Sequence, residues 1–323
     1  ARYQNWQTVL RRLERVCPMN MQMLVRVHIL KHKENIMDIK WHSSDETHMQ
    51  VREKNGVTFL TYPAFENLPE IIHCFSTRLG GVSEGIFSSM NLSFTRGDNE
   101  NAVKENYRRL GAAVGFAPED VVSSDQTHTT NVRLVGAEDR GNGITRPRTF
   151  HDTDGMITNV PGVVLATYYA DCVPLYFVDP VHHAIGLSHS GWRGTVGKIG
   201  KVTIEKMHQE FGSDPAELLT AIGPSICQDC YEVSEDVILE FQNAFNEKYW
   251  NRLFYKKDNG KYQLNLWEAN RIIFLEAGIQ EEHISMPGIC TCCNPDFLFS
   301  HRVSHGKRGN LAAFLGIRRK EKE

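Results

Sequence analysis

Residues 163–197 read VVLATYYADCVPLYFVDPVHHAIGLSHSGWRGTVG. An apolar strand over Val163–Tyr169 meets a sharp Ala170-Asp171-Cys172 turn, a second strand follows over Pro174–Val178, and a third over Ala184–Ser188. That third strand ends on His189 and runs into Gly191-Trp192-Arg193-Gly194, after which a helix begins. A thiol and an imidazole thus leave the sheet at strand ends, where side chains can converge in a pocket. Cys172, Asp171 and Arg193 are the candidate catalytic residues.

Working outward, Val196, Ile199, Ile204, Met207 and Phe211 keep a helical period that Gly212 stops. The free N–H groups of that helix, together with Arg193 and Gly194, predict a small anion cradle. The spacing is wrong for a nucleotide-binding P-loop, because Lys198 is followed by Ile199. Upstream, Asn101–Val114 reads as a helix closed by Gly115, and His128 stands in a polar run at a strand end. Asp152-Thr-Asp154-Gly155 reads as a connecting turn. Val57–Tyr62, Ile71–Thr77, Leu218–Ile222 and Leu311–Ile317 read as strands, while Ser234 and Asn265-x-x-Glu268 mark further helix starts. Strands alternating with helices, without repeats or a linker, predict a mixed α/β sandwich in one domain. Residues 1–50 carry no clear period and are expected to be an N-terminal extension outside it.

Gly81-Val-Ser83-Glu-Gly85 matches the serine-hydrolase elbow, but no helix follows it, so Ser83 is not a candidate nucleophile. Arg78, Asn91 and Arg96 are loop groups able to line a pocket. The 36 Lys+Arg against 39 Asp+Glu leave a net charge of -3, without a basic block to drive nucleic-acid binding. No apolar run of membrane length and no signal peptide is read, so the cytoplasm is expected. In that compartment the eight cysteines are better read as thiols or metal ligands than as disulfides.

Histidine and cysteine are ligands for zinc or copper, and three protein ligands with one open position are the usual catalytic zinc arrangement. His128, Cys172 and His189 supply that count. A metal-free Cys172–His189 hydrolase pair, of the kind that could act on cell-wall peptides, uses two of the same residues. Cys227-x-x-Cys230 and Cys290-x-x-Cys293 offer a rival four-thiol site, although the span between the pairs far exceeds the roughly 15–20 residues of ribbon-type sites.

Seven ordered stretches narrow the choice: Ile72–Ser83, Asp125-Gln-Thr-His128, Asp154–Asn159, Ala170-Asp-Cys172-Val-Pro, His189-Ser-Gly-Trp-Arg-Gly194, Ile222-Gly-Pro-Ser-Ile, and Cys290-Thr with Phe299-Ser-His-Arg302. From about residue 57 to 318 the chain resembles the laccase-domain (multicopper polyphenol oxidase-like, YfiH-like) family. The resemblance implies a single αββα-type sandwich over residues 51–323 and a zinc bound by His128, Cys172 and His189. It also implies phosphorolysis of adenosine, inosine, guanosine or methylthioadenosine, with deamination of adenosine. Phosphorolysis needs phosphate held at the ribose, for which Arg78, Asn91, Gln126, Arg193 and Gly194 are the candidate contacts. Deamination needs an activated water at purine C6, which zinc supplies. Copper-dependent oxidation of phenols is the alternative within the family, but none of the fourteen histidines forms the His-x-His pair of conventional laccases. In the tail, His305-Gly-Lys307-Arg308-Gly309 departs from the family's usual Thr-Gly-Arg and leaves the role of its basic residues open.

Overall fold

The computed structural model describes residues 38–42 and 49–319. From Lys40 onward the described residues belong to one compact unit. Trp41 and His42, ahead of the expected start at residue 51, join this unit: Trp41 bridges Ile289 and the His42 amide donates to the Gly288 carbonyl at 2.7 Å. The rest of the expected 1–50 extension falls almost entirely outside the described residues.

Two six-stranded sheets carry the fold. In the first, Gln50–Lys54 (β1), Val57–Thr61 (β2), Ile71–Ser76 (β3), Leu311–Ile317 (β15), Val164–Tyr169 (β7) and Val121–Ser123 (β4) lie side by side in that order. In the second the order is Ile284–Ser285 (β14), Leu219–Ile222 (β10), Val173–Asp179 (β8), Ala184–Ser190 (β9), Gly155–Thr158 (β6) and Val132–Leu134 (β5). A small third sheet joins Glu232–Val233 (β11), Tyr262–Leu264 (β13) and Phe254–Lys256 (β12). Every residue of β8, β9 and β15 is buried, so both faces of each strand are covered.

Helices cover the outer faces. Glu100–Val114 (α1) packs Val103, Tyr107 and Leu110 with Ile72, Ala166 and Phe314 of the first sheet. Gly115 closes it at φ +104° as the sequence predicts, and at its start Asn99 accepts from the amides of Asn101 and Ala102. On the far side, Trp192–Val196 (α2) and Ile199–Phe211 (α3) precede Glu235–Ala244 (α4) and Leu266–Glu276 (α5). There Ile199, Ile204 and Met207 of α3 share a core with Leu175, Phe177 and Phe274. Between the sheets, Tyr62 meets Tyr176 and Phe75 meets Tyr169, with ring centroids 5.6 and 5.9 Å apart. Their burial is satisfied across the sandwich: the Tyr62 hydroxyl donates to Ile222 O and that of Tyr176 to Cys74 O, each such bond contributing about 1 kcal/mol. The result is the expected mixed α/β sandwich.

The turn 170–172 is where the chain leaves the first sheet for the second. A second crossing begins after β4, whose parallel pairing with β7 sends residues 124–131 out of the same end of the sandwich. Because β9 runs antiparallel to both β6 and β8, its C-terminus returns to that end, with His189 opposite Pro174. Three separated stretches are delivered to one place by topology alone.

Candidate active site

His128, Cys172 and His189 converge: their ligand atoms all lie within 4.8 Å of one another. The two imidazoles meet edge to face at 4.9 Å. A methyl group on Gly191 would stand 2.9 Å from the His128 ring and 3.3 Å from the Cys172 sulfur, so no larger residue fits there without displacing them.

Asp154 holds the arrangement in place. Its carboxylate accepts the amides of Thr127, His128 and Thr129 at 2.9, 3.1 and 2.9 Å, which fixes a loop where His128 sits at φ +66°. It also accepts from His189 Nδ1 at 2.8 Å, leaving Nε2 to face the cluster. A residue read from sequence as part of a connecting turn thus positions two of the three donors. Electrostatics follow this geometry. Burial alone would raise the Asp154 carboxyl, but the bond and charge of His189 and the loop amides hold it at about 2. Burial likewise opposes charge on Cys172 and His189, yet their attraction wins, lowering the thiol to about 6 and raising the imidazole to about 9.

These donors open onto a cleft of about 320 Å³, also lined by Phe94, Tyr168, Gln126, Arg96, Arg148 and Arg308. Gln126 is pinned, donating to Tyr168 O at 2.8 Å and accepting from Tyr168 N at 2.6 Å, so it shapes the wall. Arg148 is committed to Asp125 at 2.9 Å. Arg96 and Arg308 form no ion pair among the described residues. Arg96 donates to the Gly306 carbonyl; Arg308 donates to Asn310 and its buried Nε finds no partner. Burial and the neighbouring Arg96 push the Arg308 guanidinium down to about 10, while Asp171 and Cys172 act in the opposite direction.

Several expected contacts lie elsewhere. Asp171, held at φ +92°, accepts from the Thr291 hydroxyl at 2.6 Å and the Arg302 amide at 2.7 Å, so it braces the turn and does not face the cleft. The helix starts at Trp192, one turn earlier than predicted, and breaks at Lys198 with φ +56°. Gly194 is therefore enclosed within α2 and Arg193 lies over the Trp192 ring at 4.2 Å, so the predicted anion cradle does not form. Arg78 donates to the carbonyls of Ser88 and Pro295, and Asn91 is buried among Ser93, Asp98 and Asn310; neither lines the cleft. Arg308 was the missed basic residue, its signal being only the basic tail motif.

The family model described as "Multi-copper polyphenol oxidoreductase laccase" matches residues 72–318. The chain belongs to this family. Among relatives, the purine nucleoside phosphorylase YlmD of Bacillus subtilis is 36% identical over 257 residues, covering 78% of this chain and 91% of that protein. An adenosine deaminase, RL5, from an unknown prokaryotic organism is 33% identical, covering 79% and 97%. The crystal structure of the YfiH protein of Bacillus licheniformis superposes with a TM-score of 0.78 at 33% identity, covering 83% of this chain and 99% of that one. No helix among the described residues is long and apolar enough to cross a membrane.

Proposed function

We propose that this chain is a purine nucleoside phosphorylase that also deaminates adenosine, with purine nucleosides and phosphate as its small-molecule substrates. The observation that carries the reading is the junction of a one-thiol, two-imidazole cluster with a cleft holding two arginines, Arg96 and Arg308, that have no carboxylate partner among the described residues. The names of the relatives support the same chemistry. Arg308 and Arg96 would hold phosphate, replacing the contacts first sought at Arg78, Asn91, Arg193 and Gly194. Phe94, whose ring stacks on Tyr107 at 5.8 Å, and Tyr168 offer flat faces for a purine. Phosphorolysis forms a bond from a phosphate oxygen to ribose C1′ as the bond to the base breaks; the base leaves with the electron pair and takes up a proton.

His128, Cys172 and His189 fit a metal ion by donor chemistry, mutual distance and the Asp154 bond behind His189. Zinc bound there would supply Lewis acidity beside the substrate. Copper suits the same donors, and the family's description favours a second reading, oxidation of phenols. Against it, neither His/Cys cluster among the described residues contains more than two imidazoles.

Chromatography of inosine and adenosine, with and without phosphate, tests both. Free base and ribose-1-phosphate that appear only with phosphate, and vanish in Cys172→Ala, are the expected products. Phenol oxidation rising with added copper, without base release or deamination, would establish the oxidase instead.

A further inference from the structure

On the other side of Asp171 lies a second cluster. We propose that Cys227, Cys290, Cys293 and His42 form a closed structural zinc site that fastens the start of the domain to the loops after β10 and β14. Their ligand atoms lie within 4.8 Å of one another. Tetrahedral zinc with bonds of roughly 2.3 Å to sulfur places its thiolates about 3.8 Å apart, and the Cys227 and Cys293 sulfurs are 3.9 Å apart. All the described cysteines are free thiols. The amides of Cys227 and Cys293 donate to the Cys290 sulfur at 3.2 and 3.4 Å, bonds that favour a thiolate.

The surroundings are those of a structural centre. Ile226 and Trp267 pack against the thiols, and the Trp267 ring meets His42 edge-on at 5.6 Å. Four protein donors leave no open position for substrate. His42 is held beside them by its neighbours: Lys40 N donates to Asn294 Oδ1 at 2.7 Å, and Asn294 Nδ2 returns to Lys40 O at 3.1 Å. The four-thiol site suggested by the two Cys-x-x-Cys pairs is thereby altered. Cys230 is 3.5 Å from Cys293 but outside the quartet, and His42 takes its place. Thr291, between two of the ligands, donates to Asp171, so the same loop supports the turn that presents Cys172.

Metal analysis after zinc loading under reducing conditions tests the site, together with intact mass and thermal melting. Wild type should hold two zinc ions per chain, one in each cluster, and Cys172→Ala should keep one. Cys293→Ser should lose the other and melt at lower temperature. Should Cys293→Ser fail to fold, His42→Ala carries the test, because its ring is exposed: it should release this zinc at a chelator concentration at least about tenfold lower. Cys230→Ser should keep both ions. A single zinc that Cys172→Ala abolishes, or a mass showing a disulfide among these cysteines, would overturn the site. Zinc lost from Cys230→Ser but unaffected in His42→Ala would overturn the assignment of His42.

Discussion

The two clusters use the same two side-chain types and differ in everything around them. At Cys172 one thiol and two imidazoles stand at the end of the sandwich, backed by a carboxylate and open to a cleft. At Cys290 three thiols and one imidazole are backed by backbone amides and apolar rings, away from that cleft. Donor identity alone does not separate catalysis from scaffolding. Surroundings do: an open position and a tunable hydrogen-bond partner suit chemistry, whereas a fourth protein ligand and an apolar jacket suit stability.

Loss of the Cys172 thiol should separate the two clusters by the largest effect. Cys172→Ala should lower phosphorolysis by at least about a thousandfold, roughly 4 kcal/mol of barrier, with little change in melting temperature; steady-state rates and calorimetry check both halves. Next comes acid, which could release metal from either cluster and must be separated from unfolding of the sandwich itself. Burial lowers the His73 imidazole to about 4, and its Nε2 accepts the Tyr62 amide. Between the unfolded value near 6.5 and 4, the unfolded chain binds the extra proton. Stability is therefore full above about 6.5 and declines as pH falls towards 4, by about 3 kcal/mol. His73→Gln should flatten that decline in denaturant titrations at pH 7 and 4.5 while leaving metal release unchanged.

Smaller effects sharpen the difference. Asp154→Asn keeps size but weakens the acceptor behind His189 and the His128 loop. It should cost about 10–100-fold in metal affinity at this cluster and in activity, while the Cys290 cluster keeps its metal. Arg308→Gln should raise KM for phosphate about tenfold, the order expected for a charge-assisted contact. Adenosine deamination, which consumes no phosphate, should be nearly unchanged; equal losses in both reactions would remove Arg308 from the phosphate site.

Much of this was legible in sequence where side-chain chemistry coincided with strand grammar. β7, β8 and β9 were marked by apolar runs ending at Cys172 and His189, and the helix stop at Gly212 was clear. The loop groups were not legible, because sequence gives no direction to a side chain outside a periodic element. Asp171 turned to Thr291 and Arg302, Arg78 to backbone carbonyls, and Arg193 to Trp192. Asp154 looked connective because its partners lie on two other stretches. His42 was hidden for the same reason: its neighbours are cysteines at the far end of the chain, and the residues around it follow no period.

Stepwise removal of metal from zinc-loaded wild type, following metal content, phosphorolysis and melting temperature together, separates the roles of the two clusters. Phosphorolysis should disappear with the metal of the open Cys172 cluster while the melting temperature holds, and the melting temperature should fall only as the four-ligand Cys290 cluster is emptied. Full phosphorolysis in metal-free protein, or activity and melting temperature falling together with one ion, would contradict it.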